Sequence, residues 1–172
     1  VQLENGGFTA GHKDMHSYDT PSIFNTGQIL LGLSQYLSIT GDKFVEESIS
    51  RAVNFMNLNS GLDGYNPEYC YNKKFSSYYA RSAYGHIKAG KLIGDEKSKD
   101  KVSNVLKKIL SYADQEGSIS GWGFKQNWHA LHTVIYTLRG FFEVGKELED
   151  AKFLNTSWQG IKWLEDRGPR IK

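Results

Sequence analysis

Six polar residues stand out on stretches that are otherwise apolar. Counted back from three glycines that follow apolar runs (Gly41, Gly94 and Gly145), Asn25, Tyr78 and His129 share one position, and Gln28, Arg81 and His132 share the position three residues later. Residues three apart lie on one face of a helix. The set holds the ingredients of proton transfer: two imidazoles, a phenol, and a guanidinium that can grip a carboxylate by two parallel bonds. Removal of the proton beside a uronic acid carboxylate needs this mixture, with Arg, Asn or Gln stabilising the enolate and His or Tyr moving the proton. His132, Arg81, His129 and Tyr79 are therefore the catalytic candidates. Asn25, Gln28, Tyr78, Tyr136 and Arg139 are binding candidates, with Trp122 and Trp128 as stacking surfaces.

Each has an ordinary structural reading beside the chemical one. A histidine on a buried helix is commonly a hydrogen-bonded core residue. Tyr78, Tyr79 and Tyr136 are packing aromatics with a bonded hydroxyl. Arg81 and Arg139 need partners, such as the loop carboxylate Asp63. Asn25 and Gln28 can bond freed backbone groups at a helix start. A metal pair of His129 and His132 lacks a third ligand at helical spacing, so neither metal nor cofactor is expected.

The elements that position these residues repeat. Each copy is a polar-aromatic start, a largely uncharged helix, a glycine stop, a charged amphipathic helix, and a Gly-aromatic loop. The stops recur about every 50 residues, a spacing typical of helical repeats, and the loops are Gly6-Gly7-Phe8, Asp63-Gly64-Tyr65 and Gly121-Trp122-Gly123-Phe124. The first helices, about 21–39, 76–93 and 127–143, are apolar on most sides and form an inner layer. Thr20-Pro21 is the expected start of the first, a capping hydroxyl followed by proline. The second helices are amphipathic and form an outer layer: Ile49, Ala52, Val53 and Met56 match Val102, Val105, Leu106 and Ile109 without a gap, and Leu154, Trp158, Ile161 and Leu164 follow one residue late. The fold class is all-α, three antiparallel helix-hairpin repeats at about 20–65, 76–124 and 127–168 within a single domain spanning 1–172.

Composition excludes several classes. With 39% hydrophobic and 13% aromatic residues the chain can bury a core. Lys and Arg total 21 against 19 acidic residues, with no basic stripe, so nucleic acid is not an expected partner. The single cysteine, Cys70, excludes an internal disulfide framework and reads as a half-buried core residue. Thr20 to Gly41 lacks charge but is broken by Asn25, Gln28, Ser34, Gln35 and glycines, so it reads as a buried helix and not a membrane span. With no basic-then-apolar leader, the expected compartment is cytoplasmic.

The ends of the second helices carry a resemblance. Ile109-Leu110-Ser111-Tyr112-Ala113-Asp114-Gln115-Glu116-Gly117 running into Gly121-Trp122, and Val53-Asn54-Phe55-Met56 running into Gly61-Leu62-Asp63-Gly64-Tyr65, look like degenerate forms of an aromatic, glutamine and Gly-x-Trp repeat. That repeat is the mark of the α/α toroids of the terpenoid cyclase and protein prenyltransferase superfamily, which the chain resembles. Helix starts such as Ser22 to Gln28, Tyr78 to Tyr84 and His132 to Gly140 are similar to an uncharacterised bacterial and archaeal branch often associated with surface-polysaccharide genes. The resemblance implies half of a toroid, since a full one has roughly six hairpins. It implies no catalytic residues: the aspartate-rich acid motif and the Asp, Cys and His zinc set have no match here.

Three functions follow as expectations. The first is binding or processing of an acidic polysaccharide, by lyase-, epimerase- or hydrolase-like chemistry if the chain is an enzyme. The second is a non-catalytic helical-repeat interaction module. The third is an isoprenoid or lipid site, walled by Phe24, Tyr78, Trp122, Trp128 and Tyr136. A half-ring also leaves apolar flanks, so the chain is expected to self-associate through its first and last hairpins or to belong to a longer ring.

Overall fold

The structure is a computed structural model that describes residues 1–11, 18–121 and 130–167, and across them the chain is all-α. Six α-helices form three hairpins: α1 (Ile23–Thr40) with α2 (Lys43–Leu58), α3 (Ala80–Leu92) with α4 (Lys97–Leu110), and α5 (Leu131–Leu148) with α6 (Ala151–Arg167). One small antiparallel hairpin, β1 (Ser60–Gly61) and β2 (Gly64–Tyr65), and short 3-10 turns at Pro67–Tyr69, Tyr71–Lys73 and Ser77–Tyr79 lie between α2 and α3. α1 packs on α3 and α3 on α5, while α2, α4 and α6 each pack behind their own partner. None of the described helices is long and apolar enough to cross a membrane.

The first layer starts later than Thr20-Pro21 suggests. Ser22 is the cap, its Oγ accepting from the Asn25 amide at 3.2 Å. Thr20 and Pro21 are instead held by the N-terminal segment: Ala10 donates to the Thr20 carbonyl at 2.8 Å, and Thr9 bridges Pro21. α1 stops at Gly41, whose left-handed φ of 65° lets the chain reverse, and Gly94 does the same with φ 72°.

The third hairpin departs from that pattern. α5 runs through Gly145 to Leu148, and the left-handed residue is Glu149, at φ 54°. Gly145 serves packing: a Cβ there would meet Leu154 of α6 at 3.0 Å. Counted from Glu149, the outer helices agree without any gap. Ser157, Gly160, Ile161 and Leu164 take the places of Ile49, Ala52, Val53 and Met56, and of Val102, Val105, Leu106 and Ile109. Trp158 accordingly lies off the stripe and is 55% exposed.

The turns pair with the hairpin that follows them. Gln2 bridges Phe8, Ser60 pairs with Tyr65, and Ala113 bridges Ile119, so a short β-like turn precedes each hairpin. Gly6 (φ 91°) lies against the Arg51 carbonyl on α2, and Gly117 (φ 91°) lies against the Gln159 carbonyl on α6, where a Cβ has no room. The third turn therefore centres on Gly117. Trp122 to Phe124, placed there by sequence, lie outside the described residues.

The buried centre holds one polar chain. His86 of α3, with no exposed surface, links Tyr65 of β2 to Asn57 at the end of α2, and through it to Asp95.

Candidate functional site

With Glu149 as the third stop, the polar positions of the first layer change partners. Asn25 and Tyr78 are matched by Thr133, and Gln28 and Arg81 by Tyr136, rather than by His129 and His132. Helix contacts support this register: a Cβ on Gly85 of α3 would run into the Gly27 carbonyl of α1, and one on Gly140 of α5 would run into Ala80 of α3 in the equivalent way.

Tyr136, Tyr78, Tyr79, Asn25 and His132 do come together. They line a cleft of about 700 Å³ at the starts of α1, α3 and α5, with Phe24 on one wall and Tyr69, Cys70, Tyr71 and Asn72 on another. The walls are aromatic. Phe24 meets Tyr78 edge-on at 5.7 Å and Tyr136 at 5.6 Å, Tyr78 stacks on Tyr79 at 4.6 Å, and His132 meets Tyr136 edge-on at 5.8 Å. The helix starts are held by local bonds. Asn25 Nδ2 donates to the Thr9 carbonyl at 2.9 Å, fastening the N-terminal segment to α1, so its amide serves the scaffold as well as the cleft edge.

The two phenols of the 3-10 turn before α3 are poor proton carriers. Tyr79 has no exposed surface, and its hydroxyl accepts from the Tyr71 amide at 2.6 Å. Burial, with Cys70 and Tyr78 nearby, pushes its pKa far above the usual tyrosine range. Burial likewise raises Tyr78 to about 12 and the Cys70 thiol to about 12. All three keep their protons at neutral pH and can donate hydrogen bonds. Glu68 at the rim pairs with Lys73 at 2.9 Å.

Arg81 and Gln28 do not line this cleft; Arg81 Nε donates to Gln28 Oε1 at 3.1 Å, while Arg81 Nη1 and Gln28 Nε2 are buried without a partner. Burial and then the neighbouring Arg139 lower the Arg81 pKa, and Tyr136 of the cleft wall is among the groups it feels. Asp63 is not its partner: that carboxylate is fully exposed, 3.9 Å from Lys108. Arg139 is half exposed and lies 3.6 Å from Glu143, one turn along α5. His129, Trp122 and Trp128 lie outside the described residues. Among the described residues no three His, Cys, Asp or Glu side chains are grouped to hold a metal.

The loop residues Tyr69, Tyr71 and Asn72 escaped the sequence reading because they belong to no repeated position. Their signal was the Tyr-Cys-Tyr-Asn run between two helices, which a repeat alignment skips. Comparison with family models, curated proteins and solved structures finds no match to this chain.

Proposed function

We propose that the cleft at the starts of α1, α3 and α5 binds a sugar chain that carries an acidic group. The observation behind this reading is a tyrosine-walled cleft, with the under-bonded Arg81–Gln28 pair outside its lining but near enough to Tyr136 for Arg81 to feel that phenol. Tyrosine rings offer a flat apolar face to the C–H side of a sugar and a hydroxyl for its polar edge. A buried donor without an acceptor costs about 1–3 kcal/mol, and a ligand carboxylate near Arg81 would recover that cost through a charge-assisted bond.

The reading is one of binding and not of turnover. Tyr78 and Tyr79 hold their protons, and the one carboxylate of the described lining, Glu68, stands exposed at the rim beside Lys73. A single exposed carboxylate at the rim is little acid for a carbocation mechanism, which ranks an isoprenoid ligand second.

Calorimetric titration with an oligouronate, a neutral oligosaccharide and a prenyl diphosphate tests it. The oligouronate binds, and Arg81→Gln weakens it about tenfold, the worth of one charge-assisted bond, while leaving any neutral binding unchanged. Unaltered oligouronate affinity in Arg81→Gln, or binding of the prenyl diphosphate alone, overturns the reading.

A further inference from the structure

The joints between hairpins use the same positions each time. On the side that receives the preceding hairpin, α3 presents Ser82, Gly85 and Ala89, and α5 presents Thr137, Gly140 and Val144; all six are buried. The glycines are required, because a Cβ at Gly85 or Gly140 would strike the backbone of Gly27 or Ala80. The matching residues of α1 are Ile29, Gly32 and Tyr36. Here the face is open: Gly32 is exposed, a Cβ on it would meet nothing within 4 Å, and Tyr36 is 49% exposed. A helix-interior glycine costs about 1 kcal/mol relative to alanine, and within this chain that cost at Gly32 is offset by no contact.

The opposite side of the stack is open in the complementary way. Ile23, Gly27 and Ser34 of α1 are buried by α3, and Ser76, Ala80 and Ile87 are buried where α3 meets α5. The equivalent residues at the far end are Leu131, Ile135 and Phe142. Leu131 is 58% and Ile135 44% exposed, and Phe142 is half-buried against Trp158 of α6.

We infer that this chain binds a second copy of itself head to tail, with α5 of one copy seated on the Gly32 face of α1 of the other. Such a contact continues the two joints already made inside the chain. The Gly32 face keeps the glycine with which α3 and α5 receive a neighbouring first-layer helix, flanked by the larger Ile29 and Tyr36, and the Ile135 face occupies the positions by which α1 and α3 enter one, with larger apolar side chains in Ile135 and Phe142. Each copy therefore carries both halves of one unfilled joint, which is the condition for a heterologous contact. Ile135 stands where Gly27 and Ala80 stand in the internal joints, and its side chain fills the hollow above Gly32 that backbone fills elsewhere.

Sedimentation of the 172-residue chain over a range of concentration tests this. The wild type sediments with a mass at least twice the 19.5 kDa of one chain as concentration rises. Gly32→Glu and Ile135→Asp each sediment as single chains, with unchanged helical content, since neither position is packed inside the molecule. An equimolar mixture of the two regains a two-chain species, because the first keeps its α5 face and the second its α1 face. A wild type that stays at one chain at every concentration overturns the inference, as does either variant associating like the wild type. A mixture that stays at single chains overturns the head-to-tail arrangement.

Discussion

Asn57 Oδ1 lies 2.9 Å from His86 Nε2, at the middle of a buried chain that runs from Tyr65 through His86 and Asn57 to Asp95 and Ser98. Asn57 Nδ2 donates to Asp95 at 2.9 Å, so its oxygen must accept, and Nε2 of His86 carries the proton. Nδ1 then accepts from the Tyr65 hydroxyl at 3.3 Å. Every partner is used with a neutral imidazole, and burial pushes the His86 pKa down to about 3.

The sign of the pH dependence follows. The unfolded chain takes up a proton at His86 near pH 6.5 and the folded chain only near 3, so stability is complete above the first value and falls as pH drops between the two. Burial raises the Asp95 carboxyl, but hydrogen bonds from Ser98 and Asn57 outweigh it and hold the group below its usual range, which adds to the loss only below about pH 4. Urea unfolding at pH 7 and pH 5 should differ by about 2 kcal/mol. His86→Gln, less stable at both, should lose most of that difference, and a slope that persists in His86→Gln refutes the neutral-imidazole assignment.

Glycine substitutions should separate backbone joints from side-chain joints. Gly85→Ala and Gly140→Ala press a methyl into the backbone of the neighbouring helix and should cost about 2–4 kcal/mol, in the overpacking range or above. Gly145→Ala meets mainly the Leu154 side chain, and the helix-propensity gain offsets part of that, so its cost should stay below about 1 kcal/mol. Thermal melts of the three variants, ranked in any other order, would contradict the register proposed for the joints.

Glu149→Gly should stabilise the chain by up to about 1 kcal/mol, because a left-handed φ of 54° strains a side-chain-bearing residue and not glycine. A higher denaturation midpoint checks it. The same residue marks where the sequence stopped being legible. Gly41 and Gly94 announce their turns by residue type, and the apolar stripes of α2 and α4 align on them, so the helix class, the layers and the first two hairpins can be read directly. At the third hairpin a glycine inside the helix imitated a stop, while the true stop carried a glutamate that no propensity marks. That misplacement moved the third helix's polar positions from Thr133 and Tyr136 to His129 and His132. His132, Tyr136, Tyr78 and Asn25 were still found together, since neighbouring turns of one helix share an end of the molecule. His86 and the Tyr69 to Asn72 wall were not found, because burial and loop packing arise only when the hairpins meet.

Tyr79→Phe should loosen the cleft wall without unfolding the chain. The lost acceptor strands the Tyr71 amide, at a cost of about 1 kcal/mol, and hydrogen exchange at Tyr71 should rise several-fold. Cys70, held protonated with its pKa near 12, should react slowly with alkylating reagents at neutral pH. Unchanged hydrogen exchange at the Tyr71 amide would show that the Tyr79 hydroxyl does not hold the wall.

If the proposed sugar site is right, the tyrosine cleft, and no other surface, takes the chain. NMR titration of the labelled protein with an oligouronate tests it residue by residue. The amides of Tyr69, Asn72, Tyr78 and Tyr136 should shift and saturate together, while those around Lys91 and Glu147 at the far ends of α3 and α5 stay still. Shifts confined to the far ends, or no saturable shift in the cleft, would contradict it.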